Sequence, residues 1–245
     1  MNDIRKYINV KNAETKKIKY KKDLKNLFYD GFNSKLIETS AYEGELEIPI
    51  IRKNSVIEIP KTAITFKLRK KHSSTDKYRM LVFYEFDYDF RDFISIPQNF
   101  IEEIKDFYFI STPDCSIYRD MPLWEQIANI GVSRSVGHYL QELGFYVIPN
   151  VRWGDERTYT SLHGETPIAF LGIEKGSTVS IGTLGCSNSN EDIYHMRNGI
   201  KAMLHYIEPK AVIVYGSFNH KIFDEFKSST TFYHIRDIIS ECKGE

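Results

Sequence analysis

From residue 79 onward, apolar runs alternate with helical patterns. Met80–Phe86 reads as a strand and Pro97–Asp106 as a helix. Phe107–Ile110 is a second strand, and Met121–Leu143 is one long helix or a broken pair stopped by Gly144. Phe145–Ile148 and Thr178–Ile181 read as strands, then Glu191–Ile207 as a helix closed by Glu208-Pro209. Ala211–Tyr215 is a strand, Lys221–Phe226 a short helix and Thr231–Ile235 a last strand. This alternation predicts an α/β fold with a mainly parallel sheet and covering helices. The pattern leaves open whether the sheet is open or half-barrel-like.

Residues 1–78 follow a different pattern, irregular or β-rich. Leu46–Ile51 and Val56–Pro60 are short apolar pieces separated by Arg52-Lys53-Asn54-Ser55, a spacing that suits a hairpin. Ala63–Leu68 adds a strand, and Lys71–Lys77 reads as an exposed loop. The chain therefore divides into a basic N-terminal extension, 1–78, packed on an α/β core domain, 79–245.

Charge sharpens that division. The net charge is zero, yet residues 1–80 hold 19 Lys+Arg against 10 Asp+Glu, and residues 81–245 hold 14 against 23. The basic half, with its runs Lys16 to Lys25 and Lys67 to Lys71, either packs on the acidic half or contacts a polyanion such as nucleic acid. Interleaved aromatic and β-branched residues favour packing. The 245 residues suffice for a core without staples. No apolar run approaches the roughly 20 residues of a membrane helix, so no membrane partner is expected. The start, Met1-Asn2-Asp3-Ile4-Arg5, lacks a signal-peptide apolar region. Three cysteines without a Cys-x-x-Cys pair argue against disulfides or structural zinc and for a reducing, cytoplasmic setting.

Candidate chemistry gathers after the strands, where α/β proteins place ligands. The five segments are Asp87–Asp92, Thr112–Asp120, Arg152-Trp153-Gly154-Asp155-Glu156-Arg157, Gly182-Thr183-Leu184-Gly185-Cys186 and Gly216-Ser217-Phe218-Asn219. Asp87 and Asp89, two apart on an extended segment, point together and with Asp114 are the candidate ligands of a Mg or Mn ion. Asp155, Glu156 and Asp120 are candidate acid/base residues, although adjacent Asp155 and Glu156 point oppositely on a strand, so one faces the site. Arg119, Arg152 and Arg157 suit phosphate, with Thr183 and Tyr215 beside them, and Trp153 suits stacking on a base or lidding the core. The same arginines and acids can instead pair among themselves to fix the loops.

Cys186, ahead of a helix start, is a candidate nucleophile with a lowered pKa, whereas Cys115 and Cys242 read as plain small side chains. The segment Gly182 to Cys186 is neither a P-loop nor a dinucleotide fingerprint. Trp124 reads as core, with Asp120 capping its helix and Pro122 in the first turn. The seven histidines show no metal spacing, and His138 and His205 read as packed or surface residues.

The segments Ser116–Ile127, Val147–Tyr159, Lys175–Val179, Gly182-Thr183-x-Gly185-Cys186 and Val214-Tyr215-Gly216-Ser217 resemble the phage- and plasmid-associated domain of unknown function 4417, with its Arg-Trp-Gly-Asp-Glu-Arg signature. The resemblance runs over about residues 80–230. It implies a mobile-element setting and a host-cell cytoplasm, with no activity attached. Leu184 departs from the family pattern, which carries histidine there. Two functions follow. One is an enzyme acting on a phosphate-bearing substrate, a nucleotide or nucleic acid, by metal-assisted hydrolysis. The other is a non-catalytic module that grips a host protein or nucleic acid.

Overall fold

The computed structural model describes residues 33–73, 75–161, 165–186 and 188–237. The Lys16–Lys25 run and Cys242 lie outside the described residues. A small antiparallel hairpin opens the described chain, β1 Tyr42–Glu43 on β2 Ile48–Pro49. The expected hairpin of Leu46–Ile51 with Val56–Pro60 does not form. Gly44 and Glu47 take positive φ (68° and 50°) and turn the chain before Ile48, while Val56 and Ile57 are 61% and 53% exposed.

The principal strands follow: β3 Thr62–Thr65 and β4 Arg79–Val82. Next comes helix α1, Asp87–Ser95, where the sequence suggested a loop. Phe90 and Phe93, three apart, bury one face of α1, and Asp87 and Asp89 occupy the first turn, where acids suit the helix dipole. Helix α2 is Ile101–Ile104 and strand β5 is Phe109–Ser111. The long apolar stretch forms one unbroken helix, α3 Leu123–Glu142, and Gly144 (φ 88°) ends it as expected. Pro122, not Asp120, stands at the cap position of α3 and Asp120 is exposed. Trp124 is 70% exposed and not core. Then come β6 Tyr146–Ile148, α4 Glu156–Tyr159, β7 Thr178–Gly182, α5 Asn190–Tyr206, β8 Ala211–Tyr215, α6 His220–Phe223 and β9 Thr231–Ile235.

All seven strands from β3 to β9 are parallel and pair in chain order, in a four-stranded and a three-stranded sheet. A parallel bridge, Asn150 to Ser180, joins the two: Val151 N–H donates to Ser180 O at 2.8 Å and Ser180 N–H to Pro149 O at 2.9 Å. The combined sheet curls into a half-barrel. On a flat sheet β4 and β8, four positions apart, would lie about 19 Å from each other. Instead the Tyr84 and Tyr215 rings stack at 4.9 Å. Met80, Val82, Phe109, Ile148 and Ile213 fill the concave interior with them. Leu81, Phe83, Ile110 and Val147, and on the other half Val179, Val212 and Val214, face the helices. This strict alternation follows the two-residue period of a strand.

Among the described residues, no helix is long and apolar enough to cross a membrane.

Candidate functional site

The loops after β5, β6 and β7 and the first turns of α5 enclose a cavity of about 310 Å³ at the carboxyl ends of the strands. A volume near 300 Å³ is at the small end of ligand pockets. Arg119, Arg152, Trp153 and Cys186 of the expected set line it, together with Asp114, which the sequence suggested as a metal ligand. Asp192 and His195 complete the polar wall.

Asp114 sits at the base of the wall. Asn150 Nδ2 donates to its Oδ1 at 2.7 Å, Arg152 Nη1 donates to its Oδ2 at 2.5 Å, and Tyr84 OH donates to Asn150 Oδ1 at 3.0 Å. A chain of hydrogen bonds therefore runs from the barrel interior to the cavity. Burial pushes the Asp114 pKa up, opposed by Arg152 and Asn150. The Asp114 charge pushes the Arg152 guanidinium up in turn.

Arg119 Nη2 donates to Asp192 Oδ1 at 2.8 Å. Asp192 has a second task, because it closes a capping box with Ser189 at the start of α5. Its hydrogen bonds from Ser189 hold its carboxyl below the usual range, with help from Arg119. Arg119 Nη1 is buried without a hydrogen-bond partner, and the Glu191 carboxylate stands 3.6 Å away.

Trp153 lies flat against α5 at Gly199, where a Cβ would come within 2.1 Å of the indole. Its Nε1 donates to His195 O at 3.1 Å, and its ring packs edge-to-face with Phe170, the centroids 6.5 Å apart. One side of the ring is thus committed to the core. His195 Nδ1 lies 3.0 Å from the Tyr159 hydroxyl. Burial pushes the Cys186 thiol up, although Arg152 and Arg119 pull against it. That is opposite to the lowering expected of a nucleophile at a helix start.

The other expected residues lie elsewhere. Asp155 caps α4, accepting from Arg157 N at 3.1 Å and Arg157 Nε at 2.9 Å. Arg157 Nη2 also donates to the Arg119 carbonyl, tying two loops together. Glu156 and Asp120 are exposed. Thr183 is buried, donating to Ser217 O at 2.8 Å, and Tyr215 is in the interior stack. Asp87 accepts from Ser116 N at 3.1 Å and Ser116 Oγ at 2.8 Å, while Asp89 pairs with Lys67 at 3.1 Å. Two residues apart on a helix, these acids are rotated by about 200° and diverge. Asp87, Asp89 and Asp114 therefore do not form a Mg or Mn ligand set. Among the described residues, no group of three or more His, Cys, Asp or Glu side chains is arranged to hold a metal ion.

Asp192, His195 and Met196 escaped the sequence reading, and Tyr118 lies within the candidate segment Thr112–Asp120 without a role of its own. The first three follow helical i, i+3, i+4 spacing, a signal of one shared face once α5 is recognised.

Fold and site together define a parallel (β/α) half-barrel protein with a polar cavity at its strand ends. The chain belongs to the family described as domain of unknown function (DUF4417), which matches residues 40–234. It is similar to the "Gene 1 protein" of Mycobacterium phage L5, 28% identical over 182 residues, covering 74% of each chain. It is equally similar to the "Gene 1 protein" of Mycobacterium phage D29, 28% identical over 178 residues, covering 73% of this chain and 62% of that one. No solved structure matches.

Proposed function

We propose that the cavity binds a small phosphate-bearing ligand of the nucleotide class and that the chain acts on it as an enzyme. The observation that carries this reading is Arg119, whose Nη1 is buried at the cavity wall without a hydrogen bond and meets only the Glu191 carboxylate, 3.6 Å away. An unsatisfied buried donor costs about 1–3 kcal/mol, and a phosphate oxygen is an acceptor suited to guanidinium. Arg152 brings a second cation to the same cavity from the adjacent loop, held there by Asp114. Tyr118 and the free side of Trp153 offer flat surfaces for a base.

Two wall groups are candidates for proton transfer, Asp114 and His195. Asp114 has its pKa raised by burial and stays bonded to Arg152, so phosphate binding at Arg152 changes the proton affinity of Asp114 directly. Because a fold locates a site without specifying chemistry, the support rests on these side chains.

Thermal unfolding of the full chain with individual nucleotides and with inorganic phosphate tests the reading. A ligand at a hundred times its Kd stabilises by about 2.7 kcal/mol. At least one nucleotide is expected to raise Tm by several degrees, Arg119→Ala to abolish the rise, and chromatography to detect turnover of that nucleotide. Unchanged melting with every nucleotide, or a rise untouched by Arg119→Ala, sinks the proposal.

A further inference from the structure

Four large aromatic side chains stand in solvent, one of them, Tyr118, on the cavity wall: Trp124 is 70% exposed, Phe86 68%, Tyr88 63% and Tyr118 53%. Single exposed aromatics are ordinary, but a contiguous group marks an interaction surface. Contacts link three of the four, and a single turn of chain leads from them to Trp124. The Phe86 and Tyr88 rings stack at 5.6 Å and 11°. Between them Asp87 accepts two hydrogen bonds from Ser116, and Ser116 Oγ, its one proton given to Asp87, lies 3.1 Å from Tyr118 OH, which donates to it. A turn from Tyr118 O to Met121 N–H then leads into α3, where Trp124 stands in the first turn.

Charge selects the occupant. Glu85, Asp87, Asp92, Asp120 and Glu125 lie among these aromatics in the chain, against Arg91 and three cations already paired with carboxylates. Those pairs are Lys67 with Asp89, Arg119 with Asp192 and Arg157 with Asp155, so that the exposed Asp92 and Asp120, with Glu125, set the sign of the surface. An acidic surface repels a phosphate backbone. It attracts lysine and arginine, whose cationic heads also bind aromatic faces. Aliphatic side chains complement exposed Trp, Tyr and Phe, which dominate binding energy in interfaces.

We propose that Phe86, Tyr88, Tyr118 and Trp124, with their surrounding carboxylates, form a docking surface for a polypeptide segment carrying basic and aliphatic residues. The surface adjoins the cavity at Tyr118, which lines both, and extends beyond it, since Phe86, Tyr88 and Trp124 are not among the cavity-lining residues.

Panning a random dodecapeptide display library on the immobilised full chain tests it, followed by fluorescence anisotropy on the selected peptides. Selected peptides are expected to be enriched in Lys or Arg together with Leu, Ile or aromatic residues. Their Kd is expected to rise about tenfold or more for the Phe86→Ser/Trp124→Ser variant, and to rise on going from about 50 to about 300 mM salt. The charge reversal Asp92→Lys/Asp120→Lys, at two exposed sites, provides a second test and is expected to weaken the same peptides by a similar factor. Melting curves establish that each variant is folded. A library that yields nothing, selected peptides that are neutral or acidic, or binding indifferent to both variants overturns the proposal. So does an oligo-dT strand that binds the wild type and is lost in Phe86→Ser/Trp124→Ser, which would make the surface a nucleic-acid platform.

Discussion

Gly199 has no space for a side chain, because the Trp153 indole occupies the place of its Cβ at 2.1 Å. Gly199→Ala therefore forces the indole, or the α5 backbone, to move. Overpacking of this kind costs about 1–3 kcal/mol, which urea denaturation is expected to show, with an altered Trp153 emission because Nε1 loses its bond to His195 O. Asp155 makes a different kind of contribution. Burial pushes its carboxyl up, but the hydrogen bonds and charge of Arg157 outweigh that and leave the pKa below the usual carboxylate value. A carboxyl whose folded pKa is depressed adds stability above its unfolded pKa, about 3.9. The contribution is lost as pH falls through the lower, folded value. Asp155→Asn is thus expected to lower stability by a constant amount between about pH 6 and 8 and by progressively less below about pH 4. Denaturant titrations of both proteins across that range measure it, and a difference that grows on acidification contradicts the assignment.

At the scale of elements, Arg134 fastens α3 to the site. Its guanidinium is wholly buried and donates to three carbonyls: Leu171 at 3.0 Å, Asn150 at 2.9 Å and Ala169 at 3.0 Å. Burial without a bonded carboxylate pulls its pKa down to about 10. Arg134→Ala leaves three buried acceptors unpaired and is expected to cost at least about 3 kcal/mol by urea denaturation. Arg134→Lys, with one donor head in place of a fork, is expected to recover only part of that. A loss under about 1 kcal/mol for Arg134→Ala would mean that water reaches these carbonyls. Strands such as Ala211–Tyr215 were legible in the sequence because a strand buried on both faces is a continuous apolar run. Helix α1 was not, because Asp-Tyr-Asp-Phe alternates with period two while Phe90 and Phe93 bury with period three. The cavity loops were legible from their position after strands. The partners within them were not, since Arg152 meets Asp114 across 38 residues and Asp192 and His195 come from a helix without a motif.

The whole molecule depends on the curl that brings the two sheets together. Among the described residues the β6–β7 seam is paired at the Asn150–Ser180 bridge alone, so side chains inside the half-barrel must carry much of the cohesion. Tyr84 is central there: it stacks on Tyr215, donates to Asn150, and occupies the space left by the missing side chain of Gly182. A Cβ at Gly182 would fall 2.5 Å from Tyr84 Cδ1. Gly182→Ala is therefore expected to destabilise by about 1–3 kcal/mol. Tyr84→Val is expected to cost more, because it removes the stack and leaves a cavity. In the double variant the methyl introduced by Gly182→Ala enters the space vacated by the ring. The combined loss should then be smaller than the sum of the two, with a coupling of about 0.5–3 kcal/mol in a double-mutant cycle. Additive losses would mean that the sheets do not constrain each other across the interior. Coupling of the expected sign would make the half-barrel one cooperative unit, in which an interior ring sets the position of Asn150 and, through it, of Asp114 and Arg152 at the cavity.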